Sequence, residues 1–363
     1  MSKRKTAIRA GAGVAGAAAV AGAAWIAIPA EAATTGVVAR TGNVVVYTAA
    51  AGKANSVVLT RTGATVTVDD VHGLKAGAGC AAVKGDVTRI TCAGAAWVRV
   101  DLGDGNDTLI NNSGLGMTAW GRAGNDKITG GPLKDDVYGG AGNDSLWGLG
   151  GADALRGEAG NDAVSGGDGN DHLTDGTGND KVLGGAGDDT IVNDQGNDII
   201  DAGDGNDLMV TGADFAAGTD RDSFTGGSGI DLLDYAKRSK AVSADADGAR
   251  GDDGSAGEGD TISGSVEGIA GGKGNDRLIG TARMDGLFGG PGNDLIAAGA
   301  NDDFLDGEAG RDSLNGASGN DECVSDGSDT VLNCEDTGLA AAATKARLVS
   351  TLASLRATSK AVE

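Results

Sequence analysis

From Asp126 to Asp207 an aspartate occupies every ninth position: Asp126, Asp135, Asp144, Asp153, Asp162, Asp171, Asp180, Asp189, Asp198 and Asp207. Two residues after each stands an apolar side chain (Ile128, Val137, Leu146, Leu155, Val164, Leu173, Val182, Ile191, Ile200, Met209), and two residues before all but Asp135 stands a glycine. The period resumes at Asp276, Asp285, Asp294, Asp303, Asp312 and Asp321, followed by Leu278, Leu287, Ile296, Leu305, Leu314 and Cys323. In each unit the x-apolar-x half alternates, so only its middle residue points inward. The glycine-rich half suits a tight turn. A lone unit buries one side chain, so units must stack into a solenoid.

Two units per coil give an 18-residue rung with two short parallel strands and two turns. Asp126, Asp144, Asp162, Asp180 and Asp198 then line one edge, and Asp135, Asp153, Asp171, Asp189 and Asp207 the other. In the second block Asp276, Asp294 and Asp312 face Asp285, Asp303 and Asp321. Carboxylates one rung apart repel by roughly 0.9 kcal/mol in water and 3.5 kcal/mol at an effective dielectric of 20. A divalent cation between rungs reverses the sign of that interaction. Calcium takes six to eight hard oxygens, which a Gly-x-Gly-Asn-Asp turn supplies as carbonyls beside a carboxylate; magnesium demands a tighter octahedron. Asn before the Asp (Asn125, Asn143, Asn161, Asn170, Asn179, Asn197, Asn206) is expected to serve left-handed backbone.

The stretches GGAGNDSLW, GGDGNDHLT, GGKGNDRLI and GGPGNDLIA resemble the RTX family, the hemolysin-type calcium-binding repeat proteins. The resemblance covers roughly Asp101 to Asp336 with an interruption. It implies a parallel β-roll in which turn carbonyls and Asp carboxylates of successive rungs hold several Ca²⁺ ions, and which is disordered without them. The candidate metal ligands are the sixteen aspartates above together with Asp107, from a first GDGND turn, and Asp231, from a two-repeat island with Asp222. Asp107 to Asp126 spans 19 residues with Met117 at the intervening ligand position, so an irregular rung is expected there. Lys134 and Arg283 put a cation next to Asp135 and Asp285 and make those two sites doubtful.

The fold expected is all-β: a parallel β-roll with two nonapeptides per rung, preceded by a short β-rich region and followed by a short helical tail. Residues 1–32 read as a signal peptide, with Lys3, Arg4, Lys5 and Arg9 before an Ala/Gly/Val stretch and Ala30-Glu31-Ala32 at the cleavage site. Residues 33–100 alternate β-branched and polar residues as short strands. The first roll block spans 101–212, an irregular acidic linker with partial repeats 213–270, and the second block 271–336. The acids of Asp245 to Asp260 fail the EF-hand template and are expected as a surface excursion. The Ala-rich basic tail, 337–363, carries Leu348, Leu352 and Leu355 at helical spacing.

Four cysteines in an exported chain fit two disulfides, and proximity favours Cys80 with Cys92 and Cys323 with Cys334. Zinc is a poor rival, because there is no CxxC pair and His72 and His172 are isolated. The formal charge of −23 comes with no basic cluster for nucleic acid, and the mature chain has no transmembrane stretch. With neither HExxH nor GxSxG, and little chain outside the roll, no catalytic domain is expected. These readings describe a secreted, non-enzymatic calcium-binding protein with a structural, surface or adhesion role and an undetermined partner. The alternative is an accessory or remnant of an RTX exoenzyme or toxin.

Overall fold

The structure, a computed structural model, describes residues 35–214, 220–335 and 343–362. The expected signal peptide lies outside them. Along the repeats, strands leave the two turns of each rung alternately. Val137, Leu155, Leu173, Ile191 and Met209 stack in register in one parallel sheet. Ile128, Leu146, Val164, Val182 and Ile200 stack in the other. All ten are buried and belong to one continuous core between the sheets. The partners differ by 18 residues, which is the two-unit rung read from the period.

The N-terminal strands close the first end of the roll. Strand Val44–Thr48 pairs in parallel with Trp97–Asp101 and antiparallel with Gly36–Thr41. Strand Ser56–Thr62 pairs in parallel with Thr108–Asn112 and antiparallel with Thr65–Asp70. Val38, Val45, Val57, Leu59, Val66 and Val68 extend the core into these hairpins. The second sheet thus ends in antiparallel strands, while the first ends in a short strand, Leu74–Ala76, parallel to Gly36–Thr41; short edge strands guard against edge-to-edge pairing. The Cys80–Cys92 disulfide joins two strands of this cap, and Cys323–Cys334 closes the last rungs, both as expected.

Within residues 213–270, expected as an irregular acidic linker with partial repeats, the described residues contribute rungs of their own. One sheet runs through without a break: Leu208–Thr211 pairs with Leu232–Asp234, then with Gly268–Ala270, then with Gly286–Phe288. The opposite sheet ends at Thr261–Ile262, and a new one begins with Val242–Asp245 against Arg277–Ile279. Extra residues between rungs break the ninefold phase while the ladder continues. The 19-residue step from Asp107 to Asp126 is likewise absorbed, since Lys127 still pairs with Thr108.

The tail forms helix α1 (Ala343–Val362), docked outside the unbroken sheet. Outward-facing positions that are polar on most rungs turn apolar where it lies. Leu208, Val210, Leu232, Ala270, Phe288 and Phe304 form a second core with Leu348 and Leu352. Gly268 and Gly286 make the room: a Cβ on either would come within 2.6 and 2.2 Å of the Leu352 methyls. No helix among the described residues is long and apolar enough to cross a membrane.

Candidate metal-binding edges

Each repeat aspartate is drawn into the turn and buried. Its Oδ1 accepts the backbone N–H of the aspartate one rung earlier. On one edge the donations run from Asp126 to Asp144, Asp144 to Asp162, Asp162 to Asp180 and Asp180 to Asp198, at 2.6–2.7 Å. On the other they run from Asp135 to Asp153, Asp171, Asp189 and Asp207 at 2.7–2.8 Å. The second block repeats this with Asp276, Asp294 and Asp312, and with Asp285, Asp303 and Asp321.

The other oxygen supports the metal reading. In Asp107, Asp126, Asp144, Asp153, Asp162, Asp171, Asp180, Asp189, Asp207, Asp231, Asp294 and Asp312, Oδ2 is cut off from solvent and receives no hydrogen bond among the described residues. A carboxylate oxygen in that state costs several kcal/mol on the scale of a buried ion. Backbone carbonyls converge on the same space. A Cβ on Gly121 would lie 2.3 Å from Asp126 Oδ2 and 2.4 Å from the Gly139 carbonyl; on Gly148, 2.2 Å from Asp153 Oδ2 and 2.5 Å from the Gly166 carbonyl. Acceptor facing acceptor fits a cation with hard-oxygen preference, and the donor set is all oxygen. The glycine found five residues before most of the sixteen in-phase aspartates fits this crowding, and only small or polar side chains (Asp175, Asn193, Ala202 and Ala298) replace it there.

Burial without a paired cation raises these carboxyls. Desolvation lifts Asp126, Asp153, Asp162, Asp189 and Asp198 to about 7, and the neighbouring carboxylates in each row add to the rise. Asp107, Asp135 and Asp207 rise to about 6 and Asp231 to about 8, again chiefly by burial.

Four candidates differ: Oδ2 of Asp198 accepts the Asn193 amide at 2.8 Å, and the other three accept backbone N–H groups. Oδ2 of Asp135 accepts the Gly131 N–H at 2.6 Å, that of Asp276 the Gly272 N–H at 2.6 Å, and that of Asp285 the backbone N–H and hydroxyl of Thr281. All three follow a rung that lacks an aspartate at the equivalent place: Met117 lies below Asp135, Val242 below Asp276, and Glu267 comes before Asp285. Arg283 pairs with Glu267 at 3.1 Å. What Asp135, Asp276 and Asp285 share is a place in the row after a rung without an aspartate.

The structure adds ladder members that the period misses. Asp198 and Asp207 donate to Asp222 and Asp231 across 24 residues. Asp222 then donates to Asp260, Asp231 to Glu267, Asp312 to Asp329 and Asp321 to Glu335. A signal existed: Phe224, Ile262, Ile269 and Val331 stand two residues after Asp222, Asp260, Glu267 and Asp329. The acidic stretch is therefore not all surface. Asp253 and Asp260 are buried, and only Asp245, Asp247 and Asp252 gather near the exterior.

The asparagines also act differently from expectation. None of Asn125, Asn143, Asn161, Asn179 or Asn197 takes positive φ. Their side chains form an exposed ladder instead, each Oδ1 accepting the next Asn N–H at 2.9 Å. Left-handed backbone falls to the glycine one residue earlier, as at Gly160 (φ 138°), and to Asn301 (φ 80°) where that glycine is missing.

No curated protein matches the chain. Residues 118–132, 129–164, 165–200, 194–215, 269–282 and 288–323 match the RTX calcium-binding nonapeptide repeat (4 copies). With its paired parallel sheets and buried carboxylate rows, the repeat region of this chain is a β-roll belonging to the RTX calcium-binding repeat family.

Proposed function

We propose that this is a secreted, non-enzymatic protein whose roll orders when it meets extracellular calcium, and which serves as a structural or cell-surface element. The observation that carries the reading is the row of buried Oδ2 atoms without donors, facing backbone carbonyls. Ions on both edges cancel the repulsion between rungs and tie ordering of the chain to the metal. An N-terminal export signal and two disulfides suit an oxidising exterior where calcium is abundant. The aspartates whose Oδ2 lacks a donor are the principal ligands; Asp135, Asp276 and Asp285 are weaker ones.

Circular dichroism of the chain from residue 33, in chelator and then with rising calcium, tests this. We expect β-structure to appear at about 10⁻⁴ to 10⁻³ M calcium, the range of extracellular modules. A spectrum indifferent to chelator would sink the proposal. An equal response to magnesium would remove its selectivity.

A further inference from the structure

We propose that Asp175 and Asn193 add side-chain ligands to one edge of the roll, making the turns of Asp180 and Asp198 a calcium site with three carboxylates and an amide. The inference rests on the calcium reading above and goes beyond the repeat pattern, which places glycine at both positions.

Asp175 and Asn193 each stand five residues before a ladder aspartate, where Gly121, Gly139 and Gly157 stand in the earlier rungs. A side chain there has little freedom, because the Cβ position is crowded by the ladder carboxylate and a carbonyl. Two polar side chains in consecutive rungs therefore meet inside the edge. The Asn193 amide donates to Asp175 Oδ2 at 3.0 Å and to Asp198 Oδ2 at 2.8 Å. Asp175 is fully buried, and Asn193 and Asp198 are each 1 % exposed. Asp175 Oδ1 is held by the N–H groups of Gly176 at 2.6 Å and Asp194 at 2.8 Å. Its second oxygen is thereby aimed at the amide.

Asp175, Asp180 and Asp198 form no ion pair among the described residues. A neutral amide bridges two carboxylates without cancelling their charge, and like charges buried together are expensive. Two buried oxygens at the same turns also have no donor: Asp180 Oδ2 and Asn193 Oδ1. Which end of an amide faces a site follows the groups around it. A divalent cation among the carboxylates would turn Oδ1 inward and give that atom its partner. The oxygens of Asp175, Asp180, Asn193 and Asp198, completed by turn carbonyls, suit the coordination number of calcium.

The test is Asp175→Gly in the chain from residue 33, which restores the repeat glycine. Were position 175 merely a turn position, glycine would leave calcium binding unchanged or improve it. The proposal requires the opposite sign: calorimetric titration loses one ion from the stoichiometry, and the calcium midpoint of β-structure rises several-fold. An unchanged stoichiometry, or a lower midpoint, overturns it. Should Asp175→Gly fail to reach the wild-type spectrum at saturating calcium, Asp175→Asn keeps the volume and removes the charge. The same loss supports the site, and unaltered stoichiometry refutes it. A wild-type chain blind to calcium removes this inference together with the broader reading. A responsive wild type with both variants unaffected removes this inference alone.

Discussion

The guanidinium of Arg356, on the C-terminal helix, pairs with the fully buried carboxylate of Asp234, 122 residues earlier in the chain, and with Glu308 at 3.4 Å. One side chain thus ties the tail to a rung of the interrupted region and to a rung of the second block. Removing it leaves the Asp234 charge buried without its ionic partner. We expect Arg356→Ala to cost about 3–5 kcal/mol of calcium-loaded stability, measured by denaturant unfolding, and to expose the tail to proteolysis. Stability and protection equal to wild type would show that the helix is an ornament.

Leu352 provides an apolar counterpart. It is fully buried over Gly268 and Gly286, so Leu352→Ala should destabilise by about 2–5 kcal/mol. Gly286→Ala should undock the helix from the other side by driving a methyl into the same leucine. Hydrogen exchange over residues 343–362 reads both, and continued protection in either variant would contradict the packing.

Aspartates at different places in a row should not bind equally. Oδ2 of Asp162 has no donor, whereas that of Asp135 already accepts the Gly131 N–H. Asp162→Ala should therefore lower calcium stoichiometry and stability more than Asp135→Ala. Isothermal titration of the two variants decides it, and equal losses would mean that the backbone contact at Asp135 is irrelevant.

Protons and calcium compete for the same oxygens. In the metal-free chain Asp126, Asp153, Asp162, Asp189 and Asp198 titrate at about 7 when folded, against roughly 3.9 when unfolded. The folded state binds more protons between these values, so metal-free stability falls as pH rises. In chelator, β-structure should increase from pH 8 to pH 5, while the calcium needed for half-saturation rises over the same interval. A chelated chain that loses β-structure on acidification across that window would show the opposite linkage.

Turn glycines offer a test independent of metal chemistry. Gly160 has φ +138°, and a Cβ there would lie 1.8 Å from the Gly142 carbonyl, whereas Gly114, at φ +65°, has open space. Strained backbone alone costs about 1–3 kcal/mol, and the Gly160 clash adds to it. Thermal unfolding in saturating calcium should therefore rank Gly160→Ala well below Gly114→Ala. The reverse order would contradict the stacking of turns.

The ninefold period determined the 18-residue rung, the inward column from Ile128 to Ile200 and the two rows of aspartates, because alternation and turn chemistry are local and repeat with the chain. The disulfide partners were legible too, each pair lying within a dozen residues. Only the tertiary structure decided where the period stops governing. Extra residues before Asp222, Asp260 and Glu267 break the phase, and an apolar residue two places on returns each carboxylate to the ladder. At Asp135, Asp276 and Asp285 the donor to Oδ2 goes with a rung below that lacks an aspartate, which a single turn does not encode. Arg356 and Asp234 become partners through packing across the sheet, where the burial of Leu348 and Leu352 against distant rungs sets the contact rather than any spacing along the chain.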